Sequence, residues 1–192
     1  MPPRGVGSER LPAPAGDRRA LRPILVVAVL FVLPPRGWSQ SALDHSIEQL
    51  RHAIGKWEVV TEFLNPDGTV ARAARGSYEF DWVMPDRVAR GVSEIPELKQ
   101  QSAILFYVNA AAKTIEMTSV GADGQLFVMT GPLGGETRET SFAGPDGRRV
   151  QLRFTRSNVT ANRFESRMER SIDGGATWQP GNHQVFQRAA AR

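Results

Sequence analysis

Cysteine is absent from the 192 residues. Its absence excludes disulfides, thiolate metal centres, cysteine nucleophiles and lipidation through a processed N-terminal cysteine, so the fold must rest on packing. Histidine is scarce, with three in the whole chain, which leaves little material for an imidazole metal site. Long apolar runs are missing as well: the one continuous run, residues 24–33, has about half the roughly 20 residues that a membrane-spanning helix needs. An excess of one charge also disappears on inspection. The formal charge is +4, yet six of the 24 basic residues and two of the 20 acidic ones precede residue 40, leaving 18 of each in residues 40–192. A neutral domain with interleaved signs has no general attraction for a phosphate backbone, so nucleic acid is not expected as a partner.

The run Ile24 to Leu33 follows Arg18, Arg19 and Arg22 and ends at Pro34-Pro35. A basic stretch, a short apolar segment and then a helix stop are the parts of a removable signal. Gly37 and Ser39 supply small residues for cleavage before Gln40, and Ser39 with Ser41 for cleavage before Ala42. The expected division is therefore a signal and cleavage region over 1–39 and one domain over 40–192, exported to a periplasm or secreted. A buried strand or an uncleaved anchor is the alternative. Arg18-Arg19 leaves the route, general or twin-arginine, open.

Residues 41–54 carry Leu43, Ile47, Leu50 and Ile54 at helical spacing, with Ser41 and Asp44 spaced as a capping box. The period changes after Gly55. Trp57, Val59, Thr61 and Phe63 alternate with Glu58, Val60 and Glu62, as in a half-buried strand, and Asn65-Pro66-Asp67-Gly68 reads as a turn. Tyr78, Phe80, Trp82 and Met84 share the next face, with a bulge or bend expected at Gly76. Further strands are expected over 87–94, 102–109, 113–120, 125–130, 136–142, 148–156, 160–172 and 184–188, separated by turns such as Gly121-Ala122-Asp123-Gly124 and Gly144-Pro145-Asp146-Gly147. About ten strands without an intervening long helix predict an all-β chain, an antiparallel meander closed into a barrel behind a short N-terminal helix. A two-sheet sandwich is the alternative.

Ile54-Gly55-Lys56-Trp57 opens the first strand, and Phe186-Gln187-Arg188 closes the last. This resembles the calycin pattern of lipocalins and fatty-acid-binding proteins, in which a Gly-x-Trp starts the barrel and a basic residue of the final strand covers the indole. The resemblance gives Trp57 and Arg188 a structural closing role. More broadly, residues 43–188 resemble the uncharacterised bacterial exported lipocalin-like domains. A second motif, Ser171-Ile172-Asp173-Gly174-Gly175-Ala176-Thr177-Trp178, resembles the Asp-box of sialidases and related propellers. There Ser, Asp, Gly, Thr and Trp stabilise a hairpin away from the chemistry. It occurs once here, in a chain too short for several four-stranded blades, so Ser171, Asp173, Gly175, Thr177 and Trp178 are expected to form a structural hairpin rather than a glycosidase site.

Candidate binding residues follow from the alternation. Tyr78, Phe80, Trp82, Phe106, Met117, Phe154 and Phe164 are expected to line the lumen. Arg90, between Val88 and Val92, and Arg170, sharing a face with Phe164, Met168 and Ile172, would hold a carboxylate if those faces point inward. If the register is otherwise, they pair with glutamates or face solvent. His45 and His52, seven apart on a helix and about 10.5 Å along its axis, are too far apart to chelate one metal and are expected in solvent. His183 could ligate haem at the barrel rim; no metal and no other cofactor are expected. No G-x-S-x-G nucleophile elbow occurs, and Gly131-Pro132-Leu133-Gly134-Gly135 lacks the ending of a phosphate loop. The expected function is non-enzymatic binding of a small apolar or amphiphilic molecule. The alternatives are a barrel enzyme, isomerase or cyclase, on a hydrophobic substrate, and an envelope interaction module without a ligand.

Overall fold

The computed structural model describes residues 37–190. Residues 1–36 of the signal and cleavage region read over 1–39 lie outside the described residues, and its last three belong to the first turn of the helix. Helix α1 (Gly37–Ala53) is followed by strands β1 (Gly55–Leu64), β2 (Val70–Met84), β3 (Val88–Ile95), β4 (Gln100–Asn109), β5 (Thr114–Gly121), β6 (Leu126–Pro132), β7 (Thr137–Ala143), β8 (Arg149–Thr160), β9 (Arg163–Ser171) and β10 (Gln179–Arg188). Each strand pairs antiparallel with the next, and β10 returns to β1, so the sheet closes into the expected ten-stranded barrel and has no free edge.

The register shows which alternation faces in. Trp57, Val59 and Thr61 of β1 lie opposite Arg188, Phe186 and Gln184 of β10, and Phe186 lies opposite Phe164 of β9. Across the other side, Phe80, Gly91 and Ile104 form one inward row, and Trp82, Ala89, Phe106 and Met117 form the next. The core includes Leu50, Trp57, Val59, Phe80, Ala89, Ile104, Phe106, Ile115 and Phe186. No bulge occurs at Gly76: the β1–β2 ladder runs unbroken from Gly55 to Phe63 and shifts only between Phe63 and Leu64. Gly76 is small for another reason. A Cβ there would stand 2.4 Å from the Glu94 carbonyl oxygen, so the glycine lets β3 approach.

Helix α1 plugs one end of the barrel. It begins earlier than the capping-box spacing predicts, and its innermost residues are not all apolar. Leu50, Ser46 and Gln49 are buried, while Leu43 and Ile47 are only half-buried. The two polar groups serve the β6–β7 turn, where Gly134 N donates to Ser46 Oγ at 2.9 Å and Gln49 Nε2 donates to the Gly135 carbonyl at 3.0 Å. Arg51 clasps Asp86 in the β2–β3 turn with 2.8 and 2.6 Å bonds. These contacts hold the helix over turns from both sides of the barrel.

One seam of the wall is thin. β6 and β7 are in register only at Thr130 and Glu139. Toward Leu126, Phe127 and Phe142 meet edge to face, ring centroids 5.6 Å apart, and the two strands line an open surface cavity.

Candidate functional site

The lumen has two chemically different parts. A deep chamber of about 100 Å³ lies beneath α1, walled by Tyr78, Phe80, Phe106, Met117, Met129, Phe154, Phe164 and Phe186, with Gln49, His52, Arg138 and Arg156 among them. Toward the opposite end opens a cavity of about 510 Å³, whose wall includes Thr61, Ser93, Ser102, Asn182 and Gln184. Tyr78 and Phe154 belong to both walls, so the chamber adjoins the mouth through an aromatic neck. Apolar side chains concentrate at the helix end because the core cluster, drawn from β1 to β5, β9 and β10, gathers there, while the mouth mixes hydroxyls and amides with Phe63, Ile95, Phe127 and Met168.

Arg138 and Arg156 come from facing inward positions of β7 and β8. Arg138 lies opposite Phe154, and Arg156 follows Phe154 by two residues on the same face. Arg138 is 7% exposed. Its Nη2 donates a short hydrogen bond to Gln49 Oε1, and its guanidinium lies 4.7 Å from the Phe106 ring centroid. Its Nε is buried and has no partner. Burial pushes Arg138 down to about 10, against the opposing pull of Glu136.

Arg156 Nη2 donates to His52 Nδ1 at 2.9 Å, and its Nη1 lies 3.4 Å from Glu136. His52 Nε2 then donates to the Thr160 carbonyl at 2.7 Å. With one ring nitrogen accepting and the other donating, His52 is a neutral imidazole. Burial lowers its pKa, as it also lowers that of Arg156. The expectation of a solvated His52 is therefore corrected: the ring packs 5.2 Å from Trp57 and 5.6 Å from Phe164. His45 does stay at the surface, bonded to Glu136 at 2.7 Å.

Of the expected lining residues, Tyr78, Phe80, Phe106, Met117, Phe154 and Phe164 wall the deep chamber. Trp82 instead packs against the core cluster. Arg90 does not point into the lumen. It lies opposite Asp81 and Leu105 on the outer surface and is exposed, as is Val92. Arg170 shares the face of Leu152 but stands at the far rim and is also exposed. Neither can hold a carboxylate within the chamber. Sequence reasoning misses Arg138, Arg156, Gln49 and His52. A usable signal for Arg156 was its alternation with Leu152 and Phe154.

At the helix end, Arg188 stands 4.0 Å over the Trp57 ring. Its Nη2 donates to the His52 carbonyl at 3.1 Å and its Nη1 to the Ile54 carbonyl. Trp57 Nε1 donates to the Ala53 carbonyl at 2.8 Å. At the other end, the β9–β10 hairpin is held by its own side chains. Asp173 accepts from Ser171 Oγ at 2.7 Å and from Thr177 N at 2.9 Å, and Gly175 N donates to Ser171 Oγ at 2.9 Å. Trp178 lies under the Arg153 guanidinium at 4.2 Å. His183 is on the outer face, its ring nitrogens 3.0 Å from Glu62 and 3.1 Å from Glu165. Both nitrogens are engaged outside the lumen, a setting that does not fit an axial haem ligand. Among the described residues no three His, Cys, Asp or Glu side chains gather as metal ligands.

No family model matches the chain, and no curated protein matches it. Among solved structures, it is similar to the S-type phycobiliprotein lyase CPES from Guillardia theta, with 9% sequence identity and a TM-score of 0.47. The match covers 81% of this chain and 99% of that one.

Proposed function

We propose that this protein is an exported, non-enzymatic carrier of a small apolar or amphiphilic molecule, held in the barrel lumen. The observation that carries the reading is the aromatic chamber adjoining a wide mouth at the end away from α1. A barrel serving only as a scaffold is filled by side chains, whereas this one keeps a lumen with an apolar floor and an opening. Export is supported by Arg18, Arg19 and Arg22 before the apolar run 24–33.

Catalysis finds less support than binding. His52 is the chamber's imidazole, and both of its nitrogens are committed, one to Arg156 and one to Thr160. A general base needs a free lone pair within reach of its substrate. Native mass spectrometry of the protein purified from its own envelope tests the reading. The expected result is a co-purifying small molecule, or displacement of an apolar dye on titration. Protein that carries nothing and binds no dye refutes it.

A further inference from the structure

We propose that the slit between β6 and β7 is a docking site for an extended peptide segment of a partner protein, which adds to β7 as an antiparallel strand. The slit opens on the outside of the wall, so this goes beyond the carrier reading and does not depend on it.

The first argument is backbone without partners. The closed barrel has no edge strand, yet at this seam two stretches of strand lose their neighbour. β6 is in register with β5 as far as Leu126, and β7 with β8 as far as Ala143, so both stay extended along their length. Between β6 and β7 only Thr130 and Glu139 are in register. Successive N–H and C=O groups of a strand point alternately to its two sides. About half of those in residues 126–128 and 141–143 therefore face the slit with no strand to receive them, and no turn bond engages them. A row of unpaired donors and acceptors is a template for another strand.

The second argument is shape. The slit holds about 510 Å³, and consecutive residues of both strands, 126–128 and 139–142, line it. Phe127 and Phe142 meet beneath it, ring centroids 5.6 Å apart, and give it an apolar floor. Leu126 and Val128, 59% and 42% exposed, form an apolar lip outside. Unpaired backbone between an apolar floor and an apolar lip fits an extended chain of β-branched residues, whose alternate side chains meet one and then the other.

The third argument is charge, which sets the direction. Glu139 stands at the closed end of the slit and Arg149, opposite Ala143, at the open end, about 13 Å away along β7. Among the described residues neither forms an ion pair. Arg153, opposite Glu139, is held by Glu169 at 2.6 Å, and Arg149 reaches the Ser141 hydroxyl at 2.9 Å. A strand antiparallel to β7 starts beside Arg149 and ends beside Glu139. The partner segment thus carries an acidic residue first and a basic residue about four positions later.

The test uses the peptide Ac-Asp-Val-Thr-Val-Lys-amide, its charge-swapped form Ac-Lys-Val-Thr-Val-Asp-amide, and the first peptide N-methylated at its three central residues. Binding is read from amide chemical shifts of the isotope-labelled protein at millimolar peptide. The first peptide is expected to shift the amides of residues 126–128 and 141–143 and to bind at least about threefold tighter than the swapped form, the worth of an exposed ion pair at each end. N-methylation should abolish binding, because it removes the donors that the ladder needs. In R149E, altered at an exposed position, the preference for the first peptide over the swapped one should vanish. The proposal is overturned by an absence of shifts with the first peptide, by equal binding of the methylated or the swapped form, or by shifts confined to the mouth around Thr61 and Gln184. A concentration-dependent dimer whose slit amides exchange slowly assigns the slit to a second copy of the chain and overturns it as well. The carrier reading, which rests on the lumen, is untouched by each of these outcomes.

Discussion

Arg188 joins the last strand to the first strand and to the end of the helix, so its replacement tests how the barrel closes. In R188M the methylene stem still covers the indole, but three interactions go. The cation over Trp57 at 4.0 Å is worth about 1 kcal/mol in a half-buried setting. The bonds to the His52 and Ile54 carbonyls, which satisfy acceptors at the C-terminal end of α1, are worth about 1 kcal/mol each. A positive charge at a helix C-terminus adds a few tenths. Together these give a loss of about 3 kcal/mol, or about 6–12 °C in Tm for a domain of this size. R188K retains the charge but has no planar fork to reach two carbonyls while stacking on a ring, so it should recover about half of the loss. Urea unfolding followed by tryptophan fluorescence and by circular dichroism, with coincident transitions and an unchanged m, provides the measurement. If R188M lies within about 0.5 kcal/mol of wild type, the closure is held by strand pairing alone and the reasoning fails.

G55A should be nearly as damaging as R188M, by about 2 kcal/mol in the same assay. The residue has φ +106° and a Cβ would stand 2.8 Å from Arg188 Nη1. Asp173 is held down at about 2, first by the Thr177 hydroxyl and then by the Thr177 amide and Ser171. Its contribution is therefore complete above the ordinary value of 3.8 and lost as pH falls toward 2, and NMR titration should find its carboxyl still ionised at pH 3. Burial depresses His52 below 6.5, so the unfolded chain takes up the proton first. The His52 contribution is full above pH 6.5 and declines as pH drops toward the lowered value, and H52Q, which keeps an acceptor for Arg156, should flatten the stability profile between pH 7.5 and 5.5.

The barrel was legible because its strands alternate cleanly and its turns carry Gly, Asp and Pro at the required places: Gly68, Gly124 and Gly147 all sit at positive φ in expected turns. The helix was legible in position but not in its buried stripe, because Ser46 and Gln49 are buried by backbone partners from a turn some 90 residues away, which local periodicity cannot see. Arg90 misled for a steric reason. In Val88-Ala89-Arg90-Gly91-Val92 the larger apolar side chains suggest the inward face, yet the small residues are the inward ones. Ala89 is flanked by Trp82 and Phe106, and Gly91 by Phe80 and Ile104. A Cβ on Gly91 would come within 2.5 Å of the Phe80 ring. A closed barrel has limited interior volume, so large side chains on neighbouring strands demand small ones between them.

The same volume rule admits Arg138. Its β6 neighbour Gly131 has no side chain, and a Cβ there would stand 3.2 Å from the Arg138 Cγ and 2.2 Å from the Thr137 carbonyl oxygen. The vacancy that lets β7 approach thus also makes room for a long cationic stem within the wall. Composition, by contrast, sums charge over the whole domain and finds 18 of each sign. That sum rightly discourages a polyanionic partner, whose binding depends on an extended field. It is blind to one guanidinium withdrawn from water with an unfilled N–H, because a short-range interaction in an apolar chamber depends on where a charge lies and what surrounds it.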